Sequence, residues 1–355
     1  MIVIGVDPHK LTHTAAVVDR ATGQVVDDVT VKATSSGFAE LLDWAQPHGG
    51  PRVWALEYGR HLVGALERFL LAKGEHCVRV APKLMAAERK LARTYGKSDA
   101  IDALAIARAA IREPDLPVGR LDGPEREIAL LVEHRDQLVG DHTRIVRRMR
   151  WLLHDLDPAL EPPGRSLSIL VNVDKLNRRL AKLPQTAQVR IIRDHLKVIR
   201  DLVRRCDLLK KELKVLVIRH GKALLQIPGC GVLTAARILG DVGDIARFKT
   251  DGHLASFAGI SPLDASSGKQ QRHRLNRRGN RKLNRALHII AVTQARTHPP
   301  TQAYLARRLA DGKTIREALR AYKRHLIRTI YRTLQQLAAA PSTTIPGTAP
   351  MTCMT

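Results

Sequence analysis

The apolar run Ile2-Val3-Ile4-Gly5-Val6 ends in Asp7, and a second run, Val53-Trp54-Ala55-Leu56, ends in Glu57. Short apolar runs closed by turn residues read as buried strands. An acid closing each run needs a site at the strand end. Between the two acids, His13 to Asp19 and Val25 to Val31 read as further strands, set apart by Pro8 and by Ala21-Thr22-Gly23. Ser35-Ser36-Gly37 opens a helix through Leu41, Leu42 and Trp44, Leu62 to Ala72 reads as another, and Cys77 to Ala81 as a fifth strand. Pro82 starts a helix, and Ser98 caps the next, from Asp99 to about Arg112. This order, three strands and then helix, strand, helix, strand, helix, is that of an α/β RNase H-like domain. Pro114 and Pro117 end it, giving a first domain over 1–118.

Asp99 and Asp102 stand three apart and share a helix face, while Ile101, Leu104, Ala105 and Ile106 make that helix largely apolar. Acids turned toward the sheet would repel one another unless cations neutralise them. Two Mg²⁺ ions about 4 Å apart would do so and would clamp the oxygens of a phosphodiester; Mn²⁺ is the alternative ion. The plain alternative makes Asp99 a helix-dipole partner and Asp102 a solvated residue. Asp7 and Glu57 in this strand order favour metal binding by all four.

Charge points to a polyanion. The chain carries 59 Lys/Arg against 34 Asp/Glu, a formal net charge of +25. Residues 1–120 hold 16 basic and 14 acidic side chains, so almost the whole excess lies beyond them. The acidic cluster thus sits in a nearly neutral domain, and the remainder supplies the grip on nucleic acid. Basic faces that are merely solvated are the competing reading. Cys77, Cys206, Cys230 and Cys353 are scattered without a CxxC pair, which argues against zinc and a disulfide framework. No segment has the ~18 apolar residues needed to span a bilayer, and a reducing cytoplasm is expected.

Beyond Pro124 a long helix runs to about Leu156. Ile128, Leu131, Leu138, Ile145, Met149, Leu152 and Leu156 step by threes and fours, with Arg135 and His142 interrupting. Ile192, Ile199, Leu202, Cys206, Leu209, Leu213 and Leu216 repeat the pattern after the Pro158 to Gly164 stretch. Over 122–220 this predicts a coiled-coil arm, dimerising or antiparallel, or a packed hairpin within one chain. From residue 221 to 340 the chain reads as mostly α. Pro228-Gly229-Cys230-Gly231 is a helix-hairpin-helix signature, in which Gly229 and Gly231 would let backbone N–H groups approach a phosphate. A basic run follows: Lys269, Arg272, Arg274, Arg277, Arg278, Arg281, Lys282 and Arg285. Helices resume at Arg281–Arg296, Pro300–Leu309 and Ile315–Ala338, and 341–355 is a Pro/Thr-rich tail expected to be disordered.

Ile4-Gly5-Val6-Asp7-Pro8-His9-Lys10, Leu56-Glu57-Tyr58-Gly59, and Ala81-Pro82 followed by Gly96-Lys97-Ser98-Asp99-Ala100-Ile101-Asp102-Ala103 resemble the DEDD transposases of the insertion-sequence one-ten family. So do Ile227-Pro228-Gly229-Cys230-Gly231, Phe257 to Pro262, Ser266-Ser267-Gly268 and Arg277-Arg278-Gly279-Asn280. The resemblance covers roughly 1–340. It implies a RuvC-like domain joined to a C-terminal transposase domain, with Asp7, Glu57, Asp99 and Asp102 as the metal-binding tetrad. It also implies a nucleophilic serine before a glycine, Ser267 here with Ser266 as neighbour, and guidance by a structured bridge RNA that pairs with target and donor DNA. Tyr58 stands where many relatives have a small residue. Lys269 and Arg272 beside Ser267 would stabilise phosphorane charge, although a serine in a Ser-Ser-Gly turn also serves turn chemistry.

The resulting expectation is a DNA recombinase that cuts and rejoins strands through a phosphoserine, as a homodimer or homotetramer. The rival is a Holliday-junction-type endonuclease that uses the same tetrad with water as nucleophile. An aromatic content of 3% leaves little for stacking on single strands, which suits sequence readout by RNA.

Overall fold

The structure is a computed structural model that describes residues 1–91, 98–113, 115–264, 273–274, 276 and 279–339. It divides into two compact units, Met1–Asp122 and Gly123–Thr355.

The first unit is built on β1 (Ile2–Pro8), β2 (Thr12–Asp19) and β3 (Val25–Lys32), then α1 (Ser35–Ala45), β4 (Arg52–Glu57), α2 (Arg60–Ala72), β5 (Cys77–Val80), α3 (Pro82–Leu91) and α4 (Asp99–Arg112). The strands form one mixed sheet in the order β3-β2-β1-β4-β5. β1 pairs antiparallel to β2 and parallel to β4, and lies at the centre with every residue buried. This mixed sheet, with its helices, follows the element order that the apolar runs predict. Alternation along the strands separates two apolar layers. Ile4, Val6, Trp54 and Leu56 pack under α1 and α2, whereas Val3, Val18, Ala55 and Val80 pack under α4.

The second unit opens with α5 (Pro124–Leu156), α6 (Leu170–Ala181) and α7 (Ala187–Gly221). α5 and α7 run antiparallel: Gln188 donates to the Leu152 carbonyl at one end, while Ile128 shares a core with Leu213 and Leu216 at the other. All fourteen heptad-like positions named above lie in or against these cores. The two long helices are therefore packed together within one chain, and Val173, Leu176 and Leu180 of α6 close the far end. α8 (Val232–Val242), α9 (Asp251–Phe257), the two-residue strands β6 (Leu263–Asp264) and β7 (His273–Arg274), α10 (Arg281–Thr297), α11 (Pro299–Ala310) and α12 (Ile315–Ala339) complete the unit. Among the described residues no helix is long and apolar enough to cross a membrane. The expected disordered tail, 341–355, lies outside the described residues.

Candidate metal centre and nucleic-acid interface

Sheet register puts the first two acids side by side. Gly5 pairs with Ala55 and Val6 with Leu56, so Asp7 and Glu57 occupy the next parallel step. Both alternate onto the α4 side of the sheet. α4 lies unusually close there, because a Cβ on Gly5 would sit 2.1 Å from the Ala103 carbonyl oxygen. With Ala103 over Gly5, the preceding turn, which carries Asp99 and Asp102, lies toward Asp7. Ser98 fixes that turn: its hydroxyl accepts from Ile101 N at 3.3 Å and its carbonyl from Asp102 N at 3.0 Å.

The convergence is visible in the proton affinities. Burial pushes Asp7 from its ordinary 3.8 up to about 6; Asp102, Glu57 and Asp99 push the same way, and His9 opposes them. Glu57 is also raised, by burial first and then by Asp102. Asp7 and Asp102 are buried, and Oδ2 of Asp7 and Oδ1 of Asp102 have no hydrogen-bond partner. Buried carboxylate oxygens that accept no hydrogen bond are costly unless cations stand near them. Asp99 is the most open of the buried pair's neighbours: its side chain is 53% exposed.

Two side chains that the sequence did not single out join the acids. His9 begins the β1–β2 turn, where its N–H donates to the Thr12 carbonyl. Its Nδ1 lies 3.6 Å from Asp7 Oδ2 and its Nε2 3.9 Å from Asp99 Oδ1. Asp7, His9 and Asp99 offer ligand atoms all within 4.8 Å of one another. Arg89 of α3 places Nε 3.1 Å from Asp102 Oδ1, near enough for an ion pair but out of line for a hydrogen bond. Hard oxygen donors with one imidazole suit a divalent cation, so the residues fit the group expected of them.

In the second unit, Ser266, Ser267, Lys269, Arg272, Arg277 and Arg278 lie outside the described residues, and Arg274 falls in β7. The stems of the segment that carries the serines are fixed. Leu263 pairs with Arg274 and Asp264 with His273. Below them, Asn280 N donates to Phe257 O at 2.7 Å, and Asn284 Nδ2 to Ala258 O at 2.8 Å. Gly259 (φ +66°) and Gly279 touch backbone to backbone, closing the base of the hairpin. Arg281, Lys282 and Arg285 lie on α10, and Lys282 is ion-paired with Glu133. Gly229 (φ +77°) turns the chain, but its Cα side faces Thr293 and Ile290 of α10, whereas Gly231 at the start of α8 faces open space.

Family comparison decides what this arrangement belongs to. A model of DEDD transposases, described as Transposase, matches residues 4–158, and one described as Transposase IS116/IS110/IS902 family matches 221–306. The chain belongs to the IS110 transposase family. It is therefore an enzyme that cuts and rejoins DNA. The transposase is 28% identical to the insertion element IS110 uncharacterized 43.6 kDa protein of Streptomyces coelicolor, over 83% of this chain and 88% of the relative. It is 24% identical to the pilin gene-inverting protein of Moraxella bovis, over 94% of this chain and 95% of the relative. Among solved structures, T. thermophilus RuvC in complex with Holliday junction substrate matches 31% of this chain and 91% of its own, at 17% identity and a TM-score of 0.25. That structural likeness is too slight to carry any argument here.

Proposed function

We propose that this transposase joins DNA strands through a covalent phosphoserine, with Mg²⁺, or Mn²⁺ in its place, held by Asp7, Glu57, Asp99 and Asp102. The observation that carries the reading is the convergence of the four acids, two of them with buried oxygens that accept no hydrogen bond and, among the described residues, have only His9 and Arg89 as nearby cations. A bound divalent cation would polarise a phosphoryl oxygen and offset the charge that develops on it. The chain's own work is to gather the acids from β1, β4 and α4 and to keep Asp7 dry. Ser267, or its neighbour Ser266, supplies the nucleophile. Its hydroxyl loses a proton, Oγ bonds to the scissile phosphorus, one ester P–O bond of the strand breaks, and the released oxygen takes up a proton. Attack by the hydroxyl of a second strand end reverses these bonds and frees the serine. An inversion, the operation named for the Moraxella bovis relative, rejoins every strand it cuts, which suits such a link.

Sequence choice falls to a structured guide RNA, the bridge RNA of the family resemblance, while basic side chains of 221–340 hold backbones. The division is a RuvC-like domain over 1–118, an arm over 122–220 and a transposase domain over 221–340 with a helix-hairpin-helix at Pro228–Gly231. The working assembly is a homodimer or homotetramer. The test is strand cleavage with denaturing-gel detection of a protein–DNA adduct. Ser267→Ala should abolish both cleavage and adduct; cleavage by the Ser266→Ala, Ser267→Ala double variant would establish water as nucleophile and the Holliday-junction-type rival. A discrete transcript in the RNA that co-purifies supports guidance, and heterogeneous cellular RNA opposes it.

A further inference from the structure

α10 and α12 leave a cavity of about 620 Å³ between them at the base of the hairpin that carries Ser267, beside Gly259 and Gly279. Its lining includes Arg281, Lys282, Arg285, Arg316, Arg320 and Lys323, and no acid among the described residues. Lys282 is taken up by Glu133, and Arg320 stands 4.0 Å from Glu317. Lys323 is the unusual member. It is 7% exposed, its Nζ donates to Asn284 Oδ1 at 2.7 Å, and among the described residues no carboxylate pairs with it. Asn284 in turn holds the Ala258 and Gly259 carbonyls, so the lysine is tied to the hairpin base. Burial and then Arg320 lower the proton affinity of Lys323, as expected of a buried cation without a counter-charge. A buried ammonium of this kind is costly until an anion reaches it.

We infer that this groove is a phosphate site, in which Lys323, Arg316, Arg320 and Arg285 hold one phosphodiester of the DNA backbone at the foot of the serine hairpin. Lysine serves as a compact point charge at the floor, and the arginines grip from the rim. The occupant is DNA because the enzyme's substrate is DNA; the placement beside the reacting strand rests on the phosphoserine reading. To Arg285, which belongs to the basic run read in the sequence, the site adds three cations of α12.

The experiment measures the affinity of the full-length protein for a fluorescein-labelled duplex of about 30 bp across a salt series, with an RNA of equal length as competitor. Lys323→Met and Arg316→Glu should each weaken duplex binding about tenfold near 0.1 M salt and lower the salt slope by about one phosphate contact. Lys210→Ala, at an exposed lysine of α7, is the control and should change affinity less than twofold. Unaltered affinity in the groove variants, or an equal loss in the control, overturns the site. Loss of RNA competition with duplex affinity intact overturns the DNA assignment. Circular dichroism checks the fold, and Arg316→Glu, at an exposed position, decides the matter should Lys323→Met fail to fold. Binding needs no chemistry, so cleavage by the Ser266→Ala, Ser267→Ala double variant would sink the phosphoserine reading alone, and unchanged binding would sink this inference alone.

Discussion

Gly5 of β1 lies directly beneath Ala103 of α4, so close that a Cβ on Gly5 would come within 2.1 Å of the Ala103 carbonyl oxygen and 2.5 Å of the Ala107 nitrogen. These neighbours are helix backbone, which cannot swing aside as a side chain does. Gly5→Ala must therefore lift α4 from the sheet and carry Asp99 and Asp102 away from Asp7. The expected cost is about 1–3 kcal/mol of stability. Denaturant titration with and without Mg²⁺ checks both parts. A destabilised variant whose melting temperature still rises normally with Mg²⁺ would show that Gly5 does not set the acid geometry.

The raised proton affinity of Asp7 makes the metal-free protein sensitive to pH. The folded chain holds that proton with a pKa of about 6, against 3.8 ordinarily. The group's contribution to stability is thus fully present below about pH 4 and is lost as pH rises through 6. The loss is on the order of 3 kcal/mol, and Glu57 shifts in the same direction. A divalent cation competes with the proton and prefers the ionised acids. The increase in melting temperature on adding Mg²⁺ should therefore be small near pH 5 and large near pH 7.5. An increase that does not vary with pH would rule out binding at Asp7.

The same reasoning predicts a trade between stability and activity. Asp7→Asn removes one buried negative charge from a cluster of four acids. Near pH 7.5 and without metal, the variant should be more stable than the parent by about 1–2 kcal/mol. It should also lose strand cleavage and most of its response to Mg²⁺. Chemical denaturation in chelator, run beside a cleavage assay, measures both. A variant less stable than the parent in chelator would mean that Asp7 is held by partners and not by repelled neighbours.

Much of this was legible in the chain because strand ends announce themselves. An apolar run broken by one acid identified β1 with Asp7 and β4 with Glu57, and the Ser98 cap with its i, i+3 acids identified the start of α4. α10, α11 and α12 fall within two residues of the bounds read from periodicity. α6 is hard to read although Val173, Leu176 and Leu180 step by three and four, because its signal is short and follows a Pro/Gly stretch. His9 and Arg89 were invisible for another reason. One reaches the acids through a turn pairing with Thr12 and the other through the packing of α3 on α4, and neither contact has a sequence period. Lys323 looked like one more cation on a basic helix; only the Asn284 contact and its burial set it apart.

Arg237 supplies a test of the second unit that involves no chemistry. It lies on α8, is 8% exposed, and faces three acids: Asp136 at 2.5 Å, Asp241 at 3.3 Å and Glu133 at 3.7 Å. Asp136 and Glu133 belong to α5, so the guanidinium ties the long helix to the helix that follows the Pro-Gly turn. Asp241 is itself largely enclosed, and burial raises its proton affinity against the pull of Arg237. Arg237→Met keeps the aliphatic stem but leaves three carboxylates facing one another with Lys282 as their nearby cation, which already pairs with Glu133. Removing one member of a buried ionic cluster typically costs about 3–5 kcal/mol, and the partly open acids Asp136 and Glu133 put the expectation at the lower end. The loss should shrink as pH falls and Asp241 takes up its proton, because a neutral acid no longer needs the guanidinium. Urea denaturation of parent and variant near pH 5 and pH 8 measures this directly. A difference that is the same at both values, or larger at the lower one, would mean that Arg237 stabilises the fold through the packing of its stem and not through its charge.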